Sequence, residues 1–99
     1  MKTAMTESPS AKPGAVLERQ AAHLPRYRVL LHNDDINTMD HVTKALMRVF
    51  GFDRTKCEAI MHEAHRNGVA LCIVEPLEQA EFHRDRLAAL SLVATIEPE

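Results

Sequence analysis

The chain has 99 residues, 45% of them hydrophobic, 26% charged and only 4% aromatic, which suffices for one modest core with an appendage and no second domain. Its 12 Lys and Arg against 14 Asp and Glu leave a formal charge of −2, which offers polyphosphates no sequence-independent attraction and argues against a non-specific nucleic-acid binder. No apolar run approaches the ~20 residues of a membrane helix, and Met1-Lys2-Thr3-Ala4-Met5 lacks the apolar stretch of a signal peptide.

Residues 1–25 hold Pro9, Pro13 and Pro25 with Ser8, Ser10 and Gly14, a composition poor in backbone donors and in apolar surface, and they read as a flexible N-terminal extension. That segment carries +1, from Lys2, Lys12 and Arg19 against Glu7 and Glu18, whereas residues 26–99 carry nine basic and twelve acidic side chains, or −3. The boundary therefore separates 1–25 from a core domain over 26–99.

From Arg26, the alternation of Tyr27, Val29 and Leu31 with Arg28, Leu30 and His32 predicts a strand that ends in the turn-forming run Asn33-Asp34-Asp35. With Asn37 or Thr38 as N-cap, Met39, Val42, Leu46, Val49 and Phe50 share one face of a helix that stops at Gly51. Asp53 caps a second helix with a buried stripe of Cys57, Ile60, Met61 and Ala64, ended by Gly68. Val69 to Val74 reads as an apolar strand. Glu75-Pro76 starts a third helix reaching about Leu90 through Leu77, Ala80 and Leu87, and Leu92 to Ile96 supplies a last strand. The order βααβαβ predicts an α+β sandwich, a small antiparallel three-stranded sheet with three helices packed on it.

Two places are rich in chemistry. Asn33-Asp34-Asp35 offers paired carboxylates for a metal or a shared proton, while such a turn more commonly bonds its own backbone. In Met61-His62-Glu63-Ala64-His65 the two histidines stand three apart, so the run is not the HExxH of metalloproteases. A solvated helix face for His62 and a dipole-favoured C-terminal position for His65 are the simpler readings. Cys57 and Cys72 lack CxxC spacing and a neighbouring base, which fits buried thiols in a reducing cytoplasm. A small metal-dependent hydrolase built on Asp34, Asp35, His62 and His65 stays open as an alternative.

The run Tyr27-Arg28-Val29-Leu30-Leu31-His32-Asn33-Asp34-Asp35, with Thr38-Met39 and then Ile60-Met61-His62-Glu63-Ala64-His65-Arg66-Asn67-Gly68, closely resembles the ClpS family of adaptors of the ATP-dependent Clp protease. The resemblance spans nearly all of residues 26–97. It implies a non-enzymatic cytoplasmic adaptor, without metal or cofactor, that binds the destabilising N-terminal residue of a substrate (an N-degron). The adaptor then passes the substrate to a Clp-family Hsp100 unfoldase, ClpA or ClpC, and acts on neither membrane nor nucleic acid. What the resemblance implies for the site is amine binding by Asn33, Asp35 and His65 with Asp34 beside them, and a side-chain pocket of Met39, Val42, Met61, Ala64 and Leu92. It also implies unfoldase contact at Glu78 and His83.

This chain departs from the family pattern in four places. Ile36 stands where an aromatic residue is frequent, Asn37-Thr38 replaces Thr-Pro, Ala64 replaces a larger aliphatic, and His83 replaces a lysine. A ClpS-like regulator that occupies the unfoldase without reading N-terminal residues is a second alternative.

Overall fold

A computed structural model describes residues 24–99, so the expected N-terminal extension lies outside the described residues except for Leu24 and Pro25. The elements are β1 (Arg26–His32), α1 (Met39–Phe50), α2 (Arg54–Asn67), β2 (Val69–Pro76), α3 (Leu77–Ala89) and β3 (Val93–Pro98). They give the order βααβαβ expected from the sequence. The three strands form one antiparallel sheet in the order β2-β1-β3.

The strands alternate as their pattern requires. Val29 and Leu31 of β1 and Ala70 and Cys72 of β2 are buried, while Leu71 and Val93 are exposed, because successive side chains leave opposite faces of a sheet. The inner face meets Ala45 and Leu46 of α1, Cys57, Ile60, Met61 and Ala64 of α2, and Ala80 and Leu87 of α3 in a single core. Leu31, Leu46 and Leu87 are its largest fully buried side chains, each contributing roughly 1.5–3 kcal/mol by leaving water. The pairing of β1 with β2 shifts between Val29 and Leu30, where Val29 faces Ile73 and Leu30 faces Leu71.

The ends of α1 and α2 have local causes. The Thr38 side chain accepts from the His41 N–H at the start of α1, and the Asp53 carboxylate accepts from the Lys56 N–H at the start of α2. Gly51 (φ +73°) and Gly68 (φ +88°) end those helices in the left-handed region, where a residue without Cβ is unstrained.

Three elements differ from expectation at their ends, β2, α3 and β3, the last running over Val93–Pro98 rather than Leu92 to Ile96 because β1 pairs with it as far as Tyr27 against Pro98. β2 runs on to Pro76, and the third helix starts at Leu77 with Pro76 as its N-cap, since β1 reaches back to Arg26 and pairs Tyr27 with Glu75 and Arg26 with Pro76. Leu77, in the first turn of that helix, is exposed rather than part of the core stripe. No described helix is long and apolar enough to cross a membrane.

Candidate functional site

The end of β1, the loop 33–38, the start of α1 and the last two turns of α2 enclose a cavity of about 330 Å³. Its apolar lining is Leu31, Met39, Val42, Met61 and Ala64, and its polar lining is His32, Asn33, Asp34, Asp35, Asn37, Thr38 and His65. The fold brings these together for simple reasons. The β1 alternation sends Leu31 inward, and Met39 and Val42 lie three apart on α1. Met61, Ala64 and His65 are neighbours on α2 at helical spacing. The Asn33 N–H donates to the Gly68 carbonyl (3.0 Å), which fastens the loop to the end of α2.

The loop itself is organised by Asp34. Its Oδ1 accepts from the backbone N–H groups of Ile36 (2.9 Å) and Asn37 (2.8 Å). The backbone N–H of Asn37, opposed in part by desolvation and aided by the Asn37 side chain, holds the Asp34 carboxyl below the usual carboxylate value. Asp34 is thus committed to its own turn. By contrast, among the described residues the side chains of Asn33, Asp35 and His65 make no hydrogen bond or ion pair with the protein, and all three are exposed. His65 sits in the last turn of α2, where the helix dipole favours a positive charge. Met39, expected on the core stripe, is 46% exposed at the start of α1, where a flexible thioether can adapt its shape to an occupant.

The expected site residues therefore divide. Asn33, Asp34, Asp35, His65, Met39, Val42, Met61 and Ala64 converge on the cavity. Leu92 does not line it. It is buried in the core as the residue that follows the left-handed Ser91 after α3, and its N–H donates to the Leu87 carbonyl at 3.0 Å. A residue at that place packs back onto the helix it terminates. Leu31, His32, Asn37 and Thr38 line the cavity without having been singled out as site residues. The alternation of β1 already marked Leu31 as inward, and the other three are contiguous with the acidic loop.

Glu78 and His83 lie on α3, apart from this cavity. Glu78 is exposed beside a second, shallower hollow with Leu24, Tyr27 and Leu77. The His83 ring is half-buried, with Nδ1 2.6 Å from Oε2 of Glu75, a buried carboxylate that needs such a partner. Cys57 and Cys72 are both buried and unbridged, and burial pushes the Cys72 thiol up to about 12, which makes it a poor nucleophile. Among the described residues no three His, Cys, Asp or Glu side chains converge as a metal-ligand set, and His62 is exposed outside the cavity lining.

The result is a small α+β domain with a half-apolar cavity open to solvent, bordered by acidic, amide and imidazole side chains without partners among the described residues, an arrangement chemically suited to a ligand with one apolar and one cationic part. The family model described as ATP-dependent Clp protease adaptor protein ClpS matches residues 22–94. The ClpS adapter protein of Synechococcus sp. (strain CC9902) is 43% identical over 94% of this chain and 96% of its own. The ClpS adapter protein of Prochlorococcus marinus (strain MIT 9515) is 44% identical over 86% of each chain. The structure of Agrobacterium tumefaciens ClpS2 bound to L-phenylalaninamide is similar with a TM-score of 0.70 and 32% identity, covering 76% of this chain and 98% of that one. The chain belongs to the ClpS family of Clp protease adaptors.

Proposed function

We propose that this adaptor binds the free N-terminal residue of a substrate and delivers the substrate to a Clp-family Hsp100 unfoldase, ClpA or ClpC, in the cytoplasm, without itself catalysing a reaction. The observation that carries the reading is the division of the cavity. Its wall of Leu31, Met39, Val42, Met61 and Ala64 suits one bulky apolar side chain, and its mouth presents Asn33, Asp35 and His65 without protein partners. A protonated α-amine, with a reference pKa of about 7.7–8.0, offers a charge and three donors to such a mouth. Charge-assisted hydrogen bonds are worth roughly 1.5–3 kcal/mol each, and burying a large apolar side chain adds about as much. L-phenylalaninamide, the ligand named for the Agrobacterium relative, has both parts. Asp34 shapes the loop beside the amine, and Leu92 supports the wall from the core.

Glu78 and His83 on α3 are assigned to unfoldase contact, with His83 oriented by Glu75. Residues 1–25 are assigned to delivery, because 24 extended residues reach roughly 80 Å at ~3.3 Å each, enough to enter an unfoldase while residues 26–99 stay docked outside.

Fluorescence anisotropy with peptides differing only in the first residue or in N-acetylation tests the binding half of this reading. Phe, Tyr, Trp and Leu should bind, and acetylation should weaken them far more than tenfold. Equal affinity of free and acetylated peptides would refute amine recognition and favour a regulator that only occupies the unfoldase. Deleting residues 1–20 tests delivery: peptide affinity should stay within about twofold while stimulated degradation of an N-degron substrate is lost.

A further inference from the structure

The loop that carries the amine-recognising groups has no apolar anchor. None of its side chains from Asn33 to Thr38 is buried, and Ile36 at its tip is 91% exposed. Polar bonds alone hold it, and the set at its C-terminal end reaches a distant part of the chain. The Asn37 Nδ2 donates to the Ser91 carbonyl at 2.7 Å and spans the two Asp34 carboxylate oxygens at 3.1 and 3.3 Å. An amide nitrogen has two hydrogens, and both are used here, one on Ser91 and one shared by Asp34. The reverse orientation would place an amide oxygen against a carbonyl and a carboxylate, so the chemistry fixes Nδ2 on these acceptors.

The receiving turn is built for this. Ser91 has φ +70°, a left-handed conformation that a residue with a Cβ adopts at a cost. The Ser91 N–H donates to the Ala88 carbonyl and the Leu92 N–H to the Leu87 carbonyl, the bond pair that ends a helix in a left-handed residue. The turn offers two successive carbonyls to α1 and the loop before it, because the His41 Nε2 lies 2.8 Å from the Leu90 carbonyl and, facing an acceptor, carries the proton.

We propose that Asn37 is a positioning residue for recognition of the N-terminal amine: its amide latches Asp34, and with it the backbone that aims Asn33 and Asp35, onto the α3–β3 turn. His41 reinforces the latch one step along the same turn. The proposal rests on the amine-binding reading above and assigns a role to a residue that contacts the cavity mouth rather than its apolar wall.

The test compares three peptides with parent, Asn37→Ala and the milder Asn37→Thr, whose hydroxyl has one hydrogen for two acceptors. One peptide begins with Phe, one with Ala, and one with the Phe analogue carrying a hydroxyl in place of its amine. In the parent the amine peptide should bind at least tenfold more tightly than its hydroxyl analogue. Asn37→Ala should shrink that ratio at least fivefold and Asn37→Thr by less, while the preference for Phe over Ala stays within twofold of the parent. An unchanged amine-to-hydroxyl ratio in both variants overturns the latch and leaves the amine reading standing. A parallel loss of both preferences also overturns it, because that is the signature of general loosening. A parent ratio near one overturns amine recognition itself and the latch with it.

Discussion

α1 joins two regions of opposite character, roughly 16 Å apart at ~1.5 Å per residue. At its C-terminal end Phe50 stacks on Phe52 with ring centroids 5.1 Å apart and 11° between planes, and it meets the His83 ring at 4.8 Å. Lys56 lies over Phe52 at 4.0 Å, and His83 is itself bonded to Glu75. Nearly every group there has found a partner inside the protein. At its N-terminal end Met39 stands half-exposed, and Asn33, Asp35 and His65 surround the cavity uncommitted. A group already satisfied by its own fold has little left to give a small ligand, so the side chains free to meet an N-terminal amine gather at one end of the helix, while His83 at the other offers the proposed unfoldase contact only the part of its ring that Glu75 and Phe50 leave uncovered.

That separation can be broken from either side. Phe50→Ala removes the half-buried ring shared by Phe52 and His83 and should cost about 2 kcal/mol of stability, read by urea denaturation, while the folded fraction binds Phe-first peptides within twofold of the parent. A large loss of affinity at saturating fold would show the two ends to be coupled. Asp35→Ala should do the opposite, weakening free-amine peptides by more than tenfold, or over about 1.4 kcal/mol, with the melting temperature nearly unmoved. Ala64→Val narrows the wall and should penalise Trp relative to Leu at the first position by about 1 kcal/mol or more, measured by competition anisotropy. Met39→Ala should act in the other sense, admitting β-branched first residues that the thioether is expected to exclude.

The smallest effects sharpen the contrast inside the loop. Ser91→Gly relieves the left-handed Cβ and should add roughly 1 kcal/mol of stability without changing peptide affinity, since the carbonyl that Asn37 uses is retained. Asp34, whose carboxyl titrates below its unfolded value of about 3.9, contributes stability that is present above that value. This contribution is lost as pH falls through the lower folded one. Asp34→Ala should therefore flatten the stability profile below pH 4 and leave it parallel to the parent near neutrality.

Much of this architecture was legible because its causes are local. Thr38, Asp53, Gly51 and Gly68 fix the ends of α1 and α2 through bonds or torsions within a few residues, and the alternation of β1 needs only its own side chains. The end of β2 was not legible, because Glu75 and Pro76 look like a helix start until β1 is laid beside them. The site shows the same divide. The residues stood out as chemistry-bearing, but the amine-binding roles of Asn33, Asp35 and His65 came from the family resemblance, and nothing in their spacing required convergence. Leu92 was placed in the cavity by that resemblance, whereas its burial follows from a helix ending in which Ser91, not glycine, takes the left-handed position. The bond from Asn37 to Ser91 links residues 54 apart in sequence, and no periodicity announces such a pair.

The sheet order β2-β1-β3 also sets an order of events during synthesis. The central strand is made first, yet its two neighbours arrive separately, with residues 69–76 and then 93–98, so one edge of β1 stays bare until β2 is made and the other until β3 is. Pairings across such sequence distances are slow to nucleate and leave strand edges exposed meanwhile. A nascent chain halted before Val93 lacks the strand that sets Ala94 opposite Leu31 and Ile96 opposite Val29. The sheet is thus completed only by β3, and a chain that lacks this strand keeps one edge of β1 open to wrong pairing.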